Sequence, residues 1–148
     1  KYPNAHILWL DSPDAKKREL YGSAVDGLKS AKGYKISRVE EGMPYMNTVM
    51  SMADLTITPD TGLGHYSSAL GKPNIMLTLV NPVQWSTAKT IRVMHPKAYE
   101  TYKTGRGTYE LMWGEDAGKF FVNDGGKQIG ASDIPPEQVF EKVEKILG

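Results

Sequence analysis

The residues that could do chemistry are concentrated in one short loop, 60–65, which reads DTGLGH. Thr61 supplies a hydroxyl and His65 a ring N–H, and the two glycines let a ligand approach the backbone closely. The loop lies between a predicted strand and a predicted helix, where backbone amides are unpaired and the helix dipole favours an anion. This pattern predicts that a diphosphate binds here and is stabilised as a leaving group.

The same loop also has a purely structural interpretation. In a tight strand-to-helix turn, Asp60 or Thr61 would serve only as an N-cap, and His65 would lie on the helix surface. The loop is not a Walker loop, because no Gly-Lys-Ser/Thr follows, and it is not a GxGxxG fingerprint. The local pattern alone favours the structural interpretation, so the choice depends on the surrounding sequence.

Strand and helix patterns alternate along the chain around this loop. Apolar or alternating runs predict strands at 5–10, 34–39, 55–58, 74–80 and 91–94. One helix is predicted to start at 12–14, and others are predicted at 45–53, 65–70 and about 136–147. This alternation is typical of an α/β, Rossmann-like fold, with a parallel sheet and helices on both faces. In such sheets ligands bind beyond the carboxyl ends of the strands.

Residues 95–130 differ from the rest of the chain. Tyr, Gly, Lys and Thr dominate there, and no hydrophobic period persists. We expect a long irregular excursion, with a small hairpin at 120–129 around the turn sequence Asp-Gly-Gly.

Composition excludes several classes of protein. The 148 residues carry 18 basic and 17 acidic side chains, a balance that argues against a nucleic-acid binder. There is no cysteine, which rules out disulfides, thiol nucleophiles and cysteine-bound zinc. No apolar run approaches the roughly 18 residues that span a bilayer. We therefore expect a single globular domain over 1–148 that is not transmembrane.

Other candidate constellations are weak. Asp11 and Asp14 share one loop, which indicates helix capping rather than a metal pair. The three histidines lack the spacing of zinc ligands, so no metal site is predicted. Ser67 and Ser68 lie in a helix without a nucleophile elbow, which argues against a serine hydrolase.

The longer segment 53–73 gives the loop a context. It reads ADLTITPDTGLGHYSSALGKP and closely resembles the signature of glycosyltransferase family 9, the ADP-heptose:lipopolysaccharide heptosyltransferases. The family pattern is roughly AD-x-x-I-x-x-D-S/T-G-x-x-H-x-A/S-A/S-A-L-x-x-P, and the match includes its spacing. Residues 134–139 resemble the start of the family's closing helix. The resemblance is strong over 53–80 and weaker over most of the remaining chain.

The resemblance implies the C-terminal, donor-binding half of a GT-B fold, in which two Rossmann-like domains face each other across a cleft. It implies that the donor diphosphate is bound by Asp60, Thr61, Gly62 and His65. Asp14 matches roughly the position of an acidic residue on the ribose, and Met43 falls near a residue that packs on the base.

The activity implied is an inverting, metal-independent transfer from a nucleotide-diphosphate sugar, ADP-linked in the best-known members, to a glycan or lipid-linked acceptor. No cofactor is implied. The catalytic residues are unknown, because the base is expected in an N-terminal domain outside these 148 residues. The chain alone is therefore expected to be inactive and to have a tendency to self-associate through an exposed strand edge.

The resemblance also implies a cytoplasmic location, with peripheral association at the inner membrane face as one form of it. A second class of function stays open. Because fold does not fix function, the chain could be a non-catalytic nucleotide- or sugar-binding module, or a scaffold that reuses the fold.

Overall fold

The structure is a computed structural model, and the chain forms two compact units, Lys1–Met50 and Ser51–Gly148. The residues that it describes are 2–10, 14–16, 19, 35–39, 42–78, 89–103, 122–124 and 127–148. The prediction of one domain over 1–148 stays a prediction.

The first unit contains two parallel strands, as predicted. β1 (His6–Leu10) pairs with β2 (Lys35–Val39) in a register that sets His6 opposite Lys35 and Leu10 opposite Val39. The helix predicted to start at 12–14 is described at only a few residues, of which 15, 16 and 19 are helical.

The helix α1 (Met43–Met52) begins two residues earlier than predicted. The sequence Gly-Met-Pro at 42–44 therefore forms the helix start. Pro44 is tolerated because an amide in the first turn has no intrahelical partner to lose. The Gly42 carbonyl accepts hydrogen bonds from the Tyr45 and Met46 amides, at 3.0 and 3.1 Å. Met46 and Met50 are buried, as their spacing predicts.

The second unit is built on a parallel sheet of three strands in the order β3-β4-β5. Its strands are β3 (Thr56–Pro59), β4 (Asn74–Thr78) and β5 (Thr90–Met94). Thr56 lies opposite Asn74, which lies opposite Thr90 on the next strand. Successive side chains of a strand point to opposite faces, so this register separates the sheet into one polar and one apolar face.

Helices cover both faces, which confirms the predicted α/β, Rossmann-like fold. α4 (Pro136–Leu147) packs on the apolar face, where its residues Val139, Val143 and Ile146 contact a core of buried side chains. That core consists of Ile75, Val93 and Ile134. α2 (Gly62–Ala69) packs on the opposite, polar face. Its end is a Schellman motif in which Gly71 takes a φ of 70°.

The stretch predicted as an irregular excursion contains regular structure at both ends. α3 (Pro96–Lys103) was not predicted from the sequence. It begins where the His95 Nδ1 accepts a hydrogen bond from the Lys97 amide at 3.2 Å, a capping role outside the usual set of capping side chains. The predicted hairpin is confirmed, with β6 (Val122–Asp124) antiparallel to β7 (Lys127–Ile129). Within the described residues, no helix is both long and apolar enough to cross a membrane.

A buried polar network joins α2 to the sheet. Asn74 is fully buried, and its side-chain oxygen accepts hydrogen bonds from the hydroxyls of Thr56 and Thr58, at 3.0 and 3.1 Å. Its side-chain nitrogen donates to the Gly64 carbonyl at 3.1 Å. The Ser67 hydroxyl lies 2.6 Å from that of Thr56. Because Asn74 of β4 forms hydrogen bonds with side chains of β3 and with the backbone of α2, it fixes the first turn of α2 against β3 and β4.

Replacing Asn74 with alanine should therefore destabilise the fold. The Gly64 carbonyl and two threonine hydroxyls would lose a buried partner, which costs about 2–3 kcal/mol of unfolding free energy. Urea unfolding followed by circular dichroism measures the change. Asn47→Ala, on the exposed side of α1, is the matched control and should shift the value by less than ~0.5 kcal/mol. Equal values for the two variants would contradict the role assigned to Asn74.

Candidate functional site

The predicted anion-binding loop is the beginning of α2 rather than a separate loop. The helix starts at Gly62, three residues before the predicted start at His65. The Thr61 carbonyl accepts hydrogen bonds from the Gly64 and His65 amides, at 3.0 and 3.2 Å, so the first turn is already closed. Glycine is a poor helix former in the interior but costs less near the N-terminus, which is why the pattern concealed this turn.

The first two amides of α2 are left open. Thr61 occupies the N-cap position with extended backbone, but its side chain does not cap the helix; its hydroxyl faces the Pro59 carbonyl at 3.5 Å. No acidic residue lies in the first turn. Among the described residues, the amides of Gly62 and Leu63 have no hydrogen-bond acceptor. The positive end of the helix dipole is thus available to an anion.

The two glycines of this turn, Gly62 and Gly64, are under different steric constraints. A Cβ on Gly64 would lie 2.6 Å from the Thr58 hydroxyl and 3.1 Å from the Pro59 carbonyl oxygen. Gly64 is therefore required by the close approach of α2 to β3. A Cβ on Gly62 would meet nothing within 4 Å, and its φ is not in the left-handed region. Neither packing nor backbone conformation requires a glycine at 62, whereas close approach of a ligand would.

Asp60 is held from three directions. One carboxylate oxygen, Oδ2, accepts a hydrogen bond from the Thr78 hydroxyl at 3.0 Å and from Arg92 Nη1 at 2.8 Å. The other, Oδ1, lies 3.3 Å from His65 Nε2. The Arg92 side chain is only 3% exposed, whereas those of Asp60 and His65 are 31% and 41% exposed. The cluster joins the ends of β3 and β4 to β5 and to the first turn of α2.

This arrangement can bind an anion and stabilise developing negative charge. The two open amides supply donors. His65 Nε2 faces Asp60, so Nδ1 is an acceptor in the neutral ring and donates to an anion only when both ring nitrogens carry a proton. Asp60 itself carries a negative charge. Its hydrogen bonds from Arg92 and Thr78 hold one carboxylate oxygen toward the protein interior and partly neutralise that charge. In this loop the open amides suit anion binding, and the His65 ring, oriented by Asp60, has the arrangement of an imidazole that can also accept a proton at Nδ1.

The two predicted nucleoside contacts are less defined. Asp14 is exposed, and its Oδ1 accepts a hydrogen bond from the Lys16 amide at 2.9 Å, an arrangement typical of a helix start. Met43 begins α1, and its side chain lies outside the described residues, as does Asp11. The roles of Asp14 and Met43 at a nucleoside stay predictions, as do the diphosphate contacts of the residues at 60–65.

Other side chains considered from the sequence have structural surroundings. Ser67 and Ser68 are buried against the sheet, where Ser67 pairs with Thr56 and Ser68 with Thr90. Within the described ranges, no group of three or more histidine or acidic side chains is placed to hold a metal ion.

Three residues of the cluster and its support were not singled out from the sequence. Asn74 and Thr78 are polar positions in a buried strand, which is a detectable signal because buried polar groups need partners. Arg92 is the charged residue of the mainly apolar strand β5. Its partner could not be identified, because the pairing depends on how three strands are aligned.

Comparison with known proteins identifies a family. A family model described as glycosyltransferase family 9 (heptosyltransferase) matches residues 12–95, more than half of the chain. The matched range includes the whole Asp60 cluster and both open amides. No curated protein and no solved structure matches the chain significantly.

The different roles of the two glycines predict different effects of alanine on stability. Gly64→Ala would force α2 away from β3 and should lower the free energy of unfolding by about 1–3 kcal/mol. Gly62→Ala meets no neighbour and should leave stability unchanged or raise it by up to about 1 kcal/mol. Urea denaturation of the two variants beside the parent chain measures both. If Gly62→Ala lowers the free energy of unfolding as much as Gly64→Ala does, both glycines are required by the structure.

Proposed function

The chain belongs to glycosyltransferase family 9, whose fold is GT-B, and from this premise we propose that it binds the sugar-nucleotide donor. In this proposal the chain is the C-terminal, donor-binding half of an inverting, metal-independent, heptosyltransferase-like enzyme. The donor is a nucleotide-diphosphate sugar, ADP-linked in the form that the family resemblance favours. The acceptor is a glycan or a lipid-linked glycan, bound through a second domain.

The observation that carries the proposal is the pair of open amides at Gly62 and Leu63. No contact with the described residues requires position 62 to be a glycine. A diphosphate needs several donors that converge on its oxygens, and a helix start provides them at fixed positions. The hydroxyl of Thr61 and the ring of His65 border the same turn. Asp60 would act by orienting His65 rather than by contacting the diphosphate, since two anions repel each other.

The reaction follows from this placement of the leaving group. The acceptor hydroxyl oxygen forms a bond to the anomeric carbon while the bond from that carbon to the diphosphate oxygen breaks, with inversion. The proton of the hydroxyl passes to a base on the second domain. The negative charge that develops on the diphosphate is stabilised by the amides of Gly62 and Leu63, and also by His65 when both of its ring nitrogens carry a proton. These dipoles are already fixed by the fold, so little reorganisation is needed during the reaction.

The biological setting that we propose follows the family. The best-known members act in lipopolysaccharide biosynthesis, and this chain would act on the cytoplasmic side, at the membrane face where a lipid-linked acceptor is presented. In the absence of the second domain, the chain would bind nucleotide weakly and transfer no sugar.

Blocking the space at Gly62 should weaken nucleotide binding. In Gly62→Val, the added side chain occupies the volume that a phosphate needs beside the first amides of α2. We expect its affinity for ADP or UDP to fall by about tenfold or more, equivalent to ~1.4 kcal/mol or more. Isothermal titration calorimetry with both nucleotides measures the affinity and also tells which base is preferred.

The control for this experiment lies on the same helix. Ala69→Val adds bulk at an exposed position near the other end of α2, about 10 Å along the helix axis, and should bind nucleotide like the parent chain. Equal affinity of Gly62→Val and Ala69→Val would argue against the site, and failure of the parent chain to bind either nucleotide would argue against the function.

Metal removal should have little effect. If the amides and His65 take the part that a divalent cation plays in other glycosyl transfers, the affinity for ADP should change by less than about threefold between excess EDTA and millimolar Mg²⁺. Calorimetry in the two buffers measures this. A loss of binding in EDTA that Mg²⁺ restores would contradict metal-independent binding.

A further inference from the structure

We propose that Arg92 is a positioning residue for the anion site: it compensates and fixes the Asp60 carboxylate, so that a diphosphate can bind beside an acidic side chain. The proposal rests on the proposed function, because it concerns the same diphosphate. It assigns a role to a residue that lies outside the 53–73 signature, on a different strand, and that the sequence did not single out.

The geometry places Arg92 behind the site rather than in it. Its side chain is 3% exposed, so it cannot reach an anion in solvent at the helix start. Its Nη1 donates to Asp60 Oδ2 at 2.8 Å, and Thr78 donates to the same oxygen at 3.0 Å. The opposite oxygen of the carboxylate faces His65. Arg92 therefore acts on the site through Asp60, and through Asp60 on the orientation of the imidazole.

The electrostatic reason for this role of Arg92 is the negative charge of Asp60. Its carboxylate is adjacent in sequence to the N-cap of α2, where an incoming diphosphate would meet the open amides. An uncompensated carboxylate there would repel the ligand and also offset the positive end of the helix dipole. A buried cation at 2.8 Å cancels most of that repulsion, because charges in a partly buried setting are poorly screened by solvent.

A purely structural role for Arg92 makes a different prediction. If Arg92 were only one half of a structural ion pair, its loss would lower stability by leaving the Asp60 carboxylate uncompensated, and a second change at Asp60 would restore stability without altering the affinity of the folded chain for an anion. If Arg92 acts on the anion site by compensating Asp60, its loss should also weaken binding by the folded chain, and neutralising Asp60 should restore that binding. The two roles are therefore separated by whether the affinity of the folded variants changes.

The test is a double-substitution cycle on the 148-residue chain, with inorganic pyrophosphate and ADP as probes. The variants are Arg92→Met, Asp60→Asn and the two combined, with Arg92→Lys as the variant that keeps the charge. Calorimetry is run at about 50 mM and about 500 mM salt, and circular dichroism checks folding.

We expect Arg92→Met to weaken binding by about tenfold or more at low salt, with a smaller loss at high salt because screening reduces the repulsion. The combined variant should bind more tightly than Arg92→Met and within about threefold of the parent chain, because removing both charges leaves the net charge beside the site unchanged. Arg92→Lys keeps the positive charge and should bind more tightly than Arg92→Met at both salt concentrations.

Two results would overturn the inference while leaving the proposed function intact: Arg92→Met that binds like the parent chain, or a combined variant that binds more weakly than Arg92→Met. If Arg92→Met does not fold, the combined variant still decides, because removing both charges leaves no unpaired ion in the interior. It must then bind within about threefold of the parent chain, and weaker binding would overturn the inference. Failure of the parent chain to bind either probe would instead overturn the proposed function, and this inference with it.

Discussion

The close approach of α2 to the sheet is the constraint on which the rest of the site depends. It is permitted because Gly64 has no side chain where Thr58 and Pro59 lie, and it is fixed because the Asn74 amide donates to the Gly64 carbonyl. These contacts hold the first helical turn at the carboxyl end of β3. The amides at the start of that turn are consequently fixed in direction, and in the part of the chain that the structure describes no side chain caps them. A site made of backbone donors needs this kind of support, because its geometry is that of the helix itself.

The charged side chains around the first turn of α2 also have a buried side and an exposed side. The buried side of Asp60 contacts Arg92 and Thr78, and the partly exposed side faces His65. The negative charge of Asp60 is thereby partly neutralised on its buried side, and the His65 imidazole lies at the surface near the start of α2. The site can be selective for an anion although an acidic residue stands at its edge. In a family 9 glycosyltransferase, this is the end of the sheet at which a sugar nucleotide is proposed to bind.

Much of the fold could be predicted, because parallel strands and amphipathic helices leave strong periods in the sequence. The errors fall at helix starts. Pro44 and Gly62 indicate breaks in a helix interior, yet both are compatible with a first turn, so α1 and α2 begin earlier than predicted. α3 was missed because its sequence is polar and His95, an unusual cap, begins it. The residues at 60–65 were visible as a local pattern. Arg92 was not, because its pairing with Asp60 depends on strand register, which local sequence does not encode.

The central claim is that an anion binds to the first amides of α2, and amide proton–nitrogen correlation spectra of the isotope-labelled chain test it most directly. During titration with pyrophosphate, the resonances of Gly62 and Leu63 should move downfield in a saturable way, while that of Gly71, at the far end of the helix, stays in place. Saturable shifts elsewhere in the chain, with the Gly62 and Leu63 signals unmoved, would contradict the account.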